Sequence, residues 1–597
     1  MSDQTFHPPT SPATRGAGLI PSFVIIAAMT LLAFLPSINN GFTNWDDNKY
    51  VTENPDLAVH GSHGLIKIAT SNYVGNFHPL TMLAYMAEYR LFHLNPAGYH
   101  GVNLLLHLFN ALLVCACIGG LSGSSAAALA GGLLFAIHPL RVESVAWVAE
   151  LKDVLCGLFY FLSILLYLRY SASGKRATYG ACFVAFVMAL LAKPMAVSLP
   201  IALLLIDYLK CRPCARRCVG EKIPFIALAA LFCVVTFGAQ SDIGALNERA
   251  MLPRLFRLCI PFYATLFYPI KTVAPFHLSV LYIFPDTPGL PLTLMIELLL
   301  SPVIVFTAGM LLWRYRGSDR TVVFGAAFFL ATLLPVLQIV SPGLAVVADR
   351  YSYIPSLGLC LLFGQGIAAL ERRTAEDRLK RFIPVVLTAA LAAGLSVVTF
   401  NRCMVWRDGV TLWSDCLATA KNPVAFHNRG CAYVSEGKPD SAIADYTAAI
   451  ALSPSYASAW YNRGSVFLSQ NDFARAAADL TEAIRLSQKY ADACNNRGIA
   501  FLEEKRYGEA IADFRRVIEL KPDFASAYYN RGLTLLRMGK FIDAATDFSR
   551  TIDLNPGFIK AYQGRAGWSS ARAGISSKVR FSAGLPVRSF QARKRRP

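Results

Sequence analysis

The chain has 597 residues, 54% of them hydrophobic and 16% charged, with a formal net charge of +19. A mean hydropathy of +0.42 excludes an ordinary soluble globule and indicates a chain that crosses a membrane many times. The basic residues fall in short loops between apolar runs and not on one face, which argues against nucleic acid as a partner and for the positive-inside pattern.

Residues 1–17 are polar and read as a cytoplasmic tail. The apolar run 19–38 is long enough to span and has no small-x-small cleavage site after it, so an uncleaved anchor is expected. A long polar and aromatic loop, 40–99, follows, and it opens on Asp46 and Asp47. Two adjacent carboxylates beside a membrane repel each other, which suits one of them to take a proton from a hydroxyl acceptor; a solvated turn would need the same residues. Spans are expected near 101–120, 124–139, 154–170, 178–192, 195–209 and 224–240, then near 291–313, 321–340, 353–370 and 382–400. The segment 254–274 holds Arg254, Arg257, Pro261, Pro269 and Lys271 and reads as an interfacial or re-entrant helix. Eleven spans result, with the N-terminus inside and the C-terminus outside. The loops that hold Asp46 and Asp47, Arg141 to Asp153, Lys193, and Asp349-Arg350-Tyr351 then open on one, non-cytoplasmic side. The cysteines scatter among apolar runs, and Cys211, Cys214 and Cys218 lack the second ligand pair of a metal site.

Beyond Asn401 the character changes. Asn-Arg-Gly recurs at 428–430, 462–464, 496–498 and 530–532, a period of 34 residues that specifies tetratricopeptide helix pairs. A fifth repeat starts at Ile559 and loses the pattern after about residue 573. The expected organisation is a tail 1–17, a membrane domain 18–401, a linker 402–422, repeats 423–573, and a basic disordered tail 574–597. The fold class is all-α: a polytopic helical bundle followed by an α-solenoid.

The strings Asn44-Trp45-Asp46-Asp47, Asn76-Phe77-His78-Pro79-Leu80, Leu94-Asn95-Pro96-Ala97-Gly98-Tyr99-His100, His138-Pro139-Leu140-Arg141-Val142-Glu143-Ser144-Val145-Ala146-Trp147 and Ala348-Asp349-Arg350-Tyr351-Ser352-Tyr353 occur in this order. With the repeats, they make the chain resemble GT-C-fold membrane glycosyltransferases, closest to bacterial relatives of the transmembrane-and-TPR protein O-mannosyltransferases. The resemblance implies a polyprenyl-phosphate-linked sugar as donor and a protein or peptide hydroxyl as acceptor. It also implies inversion at the anomeric carbon, a multi-pass bacterial inner-membrane location with the repeats outside, and Asp46 or Asp47 as base, with Asp46 favoured because the first acid of such a pair is usually the base and the second orients it or a cation. Arg141, Lys152, Lys193 and Arg350 are then the cations for the leaving phosphate. His78, His138, Glu143, Glu150, Asp153, Asp349, Tyr351 and Tyr353 are candidates for site support, although each His precedes Pro and could only cap a helix, and Trp147 could be only an interfacial aromatic. Hard oxygen ligands at the Asp pair would suit a divalent cation such as Mg or Mn, but nothing else in the loop completes a shell.

Asn428, Asn462, Asn496 and Asn530 share one position in successive repeats and form a ladder of amides. Such a ladder could bind an extended peptide backbone or satisfy neighbouring repeats. Alternative readings are the same chemistry on a lipid or surface glycan, and a non-catalytic membrane-anchored scaffold. A transporter fits less well, because the charges concentrate in loops on one side.

Overall fold

The computed structural model describes residues 19–59, 61–212, 215–241, 254–283, 291–315, 320–337 and 345–572. The expected tails 1–17 and 574–597, Cys214 and parts of the loops near 284–290 and 338–344 lie outside the described residues. Within them the chain is helical, and its extended pairing is confined to two isolated bridges, Tyr73 with Asn76 and Tyr282 with Val347. It divides into two compact units, Met1–Thr419 and Ala420–Pro597. Residues 402–422 are not an open linker: they hold the last turn of the helix Ile383–Val405 and a further helix, Gly409–Thr419, which belongs to the first unit.

Six described helices are long and apolar enough to cross a bilayer, or seven if the bent pair Ser125–Ile137 and Pro139–Ala146 counts as one span. The sequence reading expected eleven. The difference lies in Arg176–Ala192, Pro194–Leu209 and Arg320–Val336, which are apolar but short, and in Ser356–Thr374, which ends in Glu371, Arg372 and Arg373. A 17-residue helix reaches only about 25 Å. The helix Arg254–Val273, with Pro261 and Pro269 inside it, is not among the candidate spans.

Burial sorts the long helices. The window in Val148–Ser173 is 61% buried and that in Pro96–Ser122 is 50%, against 11% in Leu292–Arg314 and 17% in Lys380–Val405. The first two are the core, and the last two present Phe306, Val385 and Val397 outward as a lipid-facing surface requires. The ends of the core helices are set locally. Asn95 accepts from the Ala97 N–H at 3.2 Å and Pro96 follows it, while Gly123 (φ +73°) and Gly174 (φ +67°) take the left-handed turn that stops each helix. Ser125–Ile137 and Ser356–Thr374 approach backbone to backbone: a Cβ on Gly131 or Gly364 would fall inside contact distance of the carbonyl of Cys360 or Ala127. Without a hydrophobic drive between helices in lipid, such small-residue contacts supply the packing.

The helix Leu151–Ser173 carries Lys152 at one end. Near its other end Tyr167 meets Asp207, Arg212 and the fully buried Lys222, and Arg212 also binds Glu221 at 2.9 Å. Lys152 and Tyr167 lie fifteen residues apart along the helix, about 22 Å.

In the second unit each repeat is a helix pair, beginning with Pro423–Ser435 and Pro439–Leu452 and ending with the lone helix Ile559–Arg572. The Gly of each Asn-Arg-Gly faces the second helix. A Cβ at Gly430 would sit 2.7 Å from the Tyr446 ring, and one at Gly498 would sit 2.7 Å from Phe514. The Arg has a role that the sequence reading missed. Arg429, Arg463, Arg497 and Arg531 each form a two-pronged pair with an Asp sixteen residues on, namely Asp445, Asp479, Asp513 and Asp547. Asp513 is only 6% exposed, so Arg497→Ala leaves a buried carboxylate without its cation. That loss is expected to cost about 3 kcal/mol and to raise hydrogen exchange first in the third repeat of the full-length chain; unchanged exchange there would mean that the pair contributes nothing.

Candidate functional site

The loop after the first span places its two acids differently. Asp47 is 1% exposed and its carboxylate is fully engaged: Oδ2 accepts from the Thr43 N–H at 2.8 Å and its hydroxyl at 3.0 Å, and Oδ1 accepts from the Ala149 N–H at 2.9 Å. Burial pushes its pKa up to about 7 against those three donors. Asp47 therefore fastens the loop to the segment around Ala149 and offers no free oxygen to a substrate. Asp46 adopts a left-handed backbone (φ +64°), a conformation that Asp tolerates better than most residues, and lines a cavity of about 690 Å³. Its carboxylate meets Lys49 at 2.8 Å, an exposed partner that a substrate can displace.

Lys152, Lys193 and Arg350 line the same cavity, from the start of Leu151–Ser173, the break after Arg176–Ala192, and the turn Asp349–Ser352. They are paired with three acids, of which Glu150 also lines the cavity. Glu150 accepts from Lys152 at 3.2 Å, Lys193 at 3.4 Å and Arg350 Nε at 3.4 Å; Asp153 pairs with Lys193; Glu143 takes the Arg350 N–H at 2.8 Å and also its guanidinium. The three acids are 2–3% exposed and the three cations 13–15%. The cations are thus the more exposed partners in the cavity, and the acids hold them in place.

Other expected site residues stand apart from the cavity. Arg141 is 2% exposed, lies over the Phe135 and Tyr353 rings at 5.4 and 5.7 Å, and does not line the cavity, so it is not placed to hold a donor phosphate. The Tyr353 hydroxyl is spent on His107 at 2.8 Å and Asn110 at 3.0 Å. His138 works as the helix cap: Nδ1 accepts from the Leu140 N–H, and Nε2 lies 3.0 Å from the Thr272 carbonyl. His78 is buried behind Tyr50, and burial with the nearby lysines lowers its pKa to about 3, which keeps it neutral. Asp349 accepts from the Tyr282 hydroxyl at 2.9 Å and does not line the cavity; burial, with Glu143 nearby, raises it to about 7. Tyr351 lines the cavity under the Arg350 guanidinium, 4.9 Å from its ring centroid.

A divalent cation does not fit the Asp pair. Both oxygens of Asp47 are taken by loop donors, and no group of three His, Cys, Asp or Glu among the described residues could hold an ion. The Asn ladder is partly engaged as well. Asn462 donates to His427 at 2.8 Å, Asn496 to Ser465 at 3.1 Å and Asn530 to Asn495 at 3.0 Å, each across to the preceding repeat, and Asn428 meets His427 at 3.1 Å within its own helix.

Sequence reasoning missed what holds the irregular segments. His100, Asn103, His107 and Asn110 form a buried polar stripe along Pro96–Ser122. It engages the carbonyls of Gly41, Trp147, Ala136 and Val154 respectively. The signal was present as polar residues at helical spacing inside an apolar run. Also missed was the aromatic wall. Trp45 stacks near Trp147 (6.1 Å), Trp147 stacks on Trp406 (5.5 Å), and Trp413 meets Trp45 edge-on at 4.8 Å. Trp147 is 2% exposed, so it is no interfacial aromatic.

Residues 79–238 match the family described as dolichyl-phosphate-mannose-protein mannosyltransferase, and residues 427–491 and 500–539 match tetratricopeptide repeat families. Among curated proteins, the chain is 25% identical over 467 residues to the protein O-mannosyl-transferase F38B6.6 of Caenorhabditis elegans, covering 75% of this chain and 65% of that one. It is 25% identical over 515 residues to the protein O-mannosyl-transferase TMTC4 of Mus musculus, covering 71% and 65%. The chain thus spans just under two thirds of the length of these relatives. Among solved structures, it is similar to MamA, 25% identical over 26% of this chain and 90% of that one, with a TM-score of 0.24.

Proposed function

We propose that this chain, whose residues 79–238 match the dolichyl-phosphate-mannose-protein mannosyltransferase family, whose C-terminal part matches tetratricopeptide repeats and which is similar to protein O-mannosyl-transferases, transfers a sugar from a polyprenyl-phosphate carrier to a protein or peptide hydroxyl on the non-cytoplasmic side. The observation that carries this reading is that Asp46, Lys152, Lys193 and Arg350, from four separate segments, line one cavity. Asp46 takes the proton of the acceptor hydroxyl as its oxygen bonds to the anomeric carbon. The bond from that carbon to the phosphate oxygen breaks on the opposite side, with inversion, and its electron pair stays on the leaving polyprenyl phosphate. Lys152, Lys193 and Arg350 meet the new charge at fixed positions. The apolar part of the lining, with Phe237, Leu334 and Val336, suits the lipid carrier. The repeats are the element suited to present a polypeptide acceptor.

Membranes containing the chain and given labelled mannosyl polyprenyl phosphate are expected to place label on protein. Label on lipid or glycan alone would move the acceptor, and no transfer to any of them would favour a scaffold.

A further inference from the structure

The in-line geometry of the proposed displacement fixes where a sugar ring must lie: between the base and the cations on the phosphate. One structure joins those two points. Trp45 precedes Asp46 in the chain and lines the cavity. Trp147, its stacking partner, carries the Arg350 guanidinium 5.4 Å and the Lys152 ammonium 5.8 Å from its ring centroid.

The pair is held rigidly. The Trp147 indole N–H donates to the Trp45 carbonyl at 2.7 Å, and the far side of the column is closed by Trp406. Trp413 packs edge-on against Trp45 and donates its own N–H to Asn44 at 3.0 Å. Trp45 and Trp147 both line the cavity, and the half-buried Trp45 is the most exposed ring of this cluster, Trp147, Trp406 and Trp413 being buried. A hexopyranose presents one face of C–H groups, and an indole fixed by packing offers such a face apolar area at no entropic cost.

Resting on the transfer reading above, we propose that Trp45, backed by Trp147, is the platform on which the donor's sugar ring lies and a determinant of donor choice. Trp45 is a binding and positioning residue here, not a proton carrier.

The test separates the sugar from its carrier. Binding of mannosyl polyprenyl phosphate and of sugar-free polyprenyl phosphate is measured for the full-length chain in detergent, in wild type, Trp45→Ala and Trp45→Phe. Wild type is expected to bind both lipids. Trp45→Ala should lose about tenfold for the sugar-bearing lipid only, and Trp45→Phe should retain most of it, since the Trp45 N–H makes no hydrogen bond within the described residues. An equal loss for both lipids in Trp45→Ala would reduce Trp45 to loop support, and no loss for either would overturn the platform. A wild type that binds neither lipid would instead overturn the transfer reading on which the platform rests.

Discussion

Asp46→Asn is expected to lower sugar transfer by roughly 10²–10⁴-fold while the donor lipid still binds, because the amide keeps the shape of the side chain but cannot accept the acceptor's proton. Asp47→Asn should behave differently, although it is the adjacent and chemically identical change. Both Asp47 oxygens accept backbone N–H groups, and an amide has only one oxygen, so its NH₂ would face a donor. One buried N–H left unpaired costs about 1–3 kcal/mol, which should appear as a lower melting temperature in detergent and reduced yield. The pH dependence separates the two further. The folded pKa of Asp47, about 7, lies above its value in an unfolded chain, so the stability it contributes is full at low pH and is lost as pH rises through about 7. Melting of the wild type should therefore fall as pH rises from about 4, where the unfolded carboxyl ionises, to about 7 and level off above it, and Asp47→Asn should lessen that slope. Wild-type turnover in Asp46→Asn would remove the loop from the chemistry.

The second large effect concerns Arg350. Its guanidinium spans Glu143 and Glu150, at 3% and 2% exposure, while its turn borders the cavity. Arg350→Lys keeps the charge but can no longer serve both carboxylates and a phosphate at once, so the donor KM should rise about 10–100-fold with the protein still folded. Arg350→Ala removes the cation from Glu143 altogether. Breaking a buried pair in this way costs about 3–5 kcal/mol, so this variant should be lost at folding, and Arg350→Lys is the informative one. A wild-type donor KM in Arg350→Lys would assign the residue to structure alone.

The two acids also mark how far sequence reaches. Asp46 and Asp47 are the same residue type one position apart, so residue chemistry alone favours neither, and only the resemblance, in which the first acid of such a pair is usually the base, points to Asp46. The side-chain direction that separates them depends on the left-handed turn at Asp46 and on Ala149, 102 residues away, donating to Asp47. Arg141 and Arg350 looked equivalent for the same reason. A charge in a loop string reads alike whether it faces a cavity or lies over Phe135 and Tyr353.

What the sequence determined by itself is what depends on period and composition. The apolar runs mark the helices, because a bilayer demands internally satisfied backbone over a fixed length, and the 34-residue period marks the solenoid, because each repeat packs only on its neighbours. The loops that hold the cavity's charged residues were legible as polar strings between those runs. The tertiary structure decided the rest: which acid lines the cavity and which is buried against backbone donors, that Glu150 pairs with three cations, that Trp45 and Trp147 stack beside those residues, and that the Arg of each Asn-Arg-Gly pairs with Asp sixteen residues on. Each of these depends on contacts between segments far apart in the chain or on opposite helices of a pair, where burial and geometry, not residue type, set the role of a side chain.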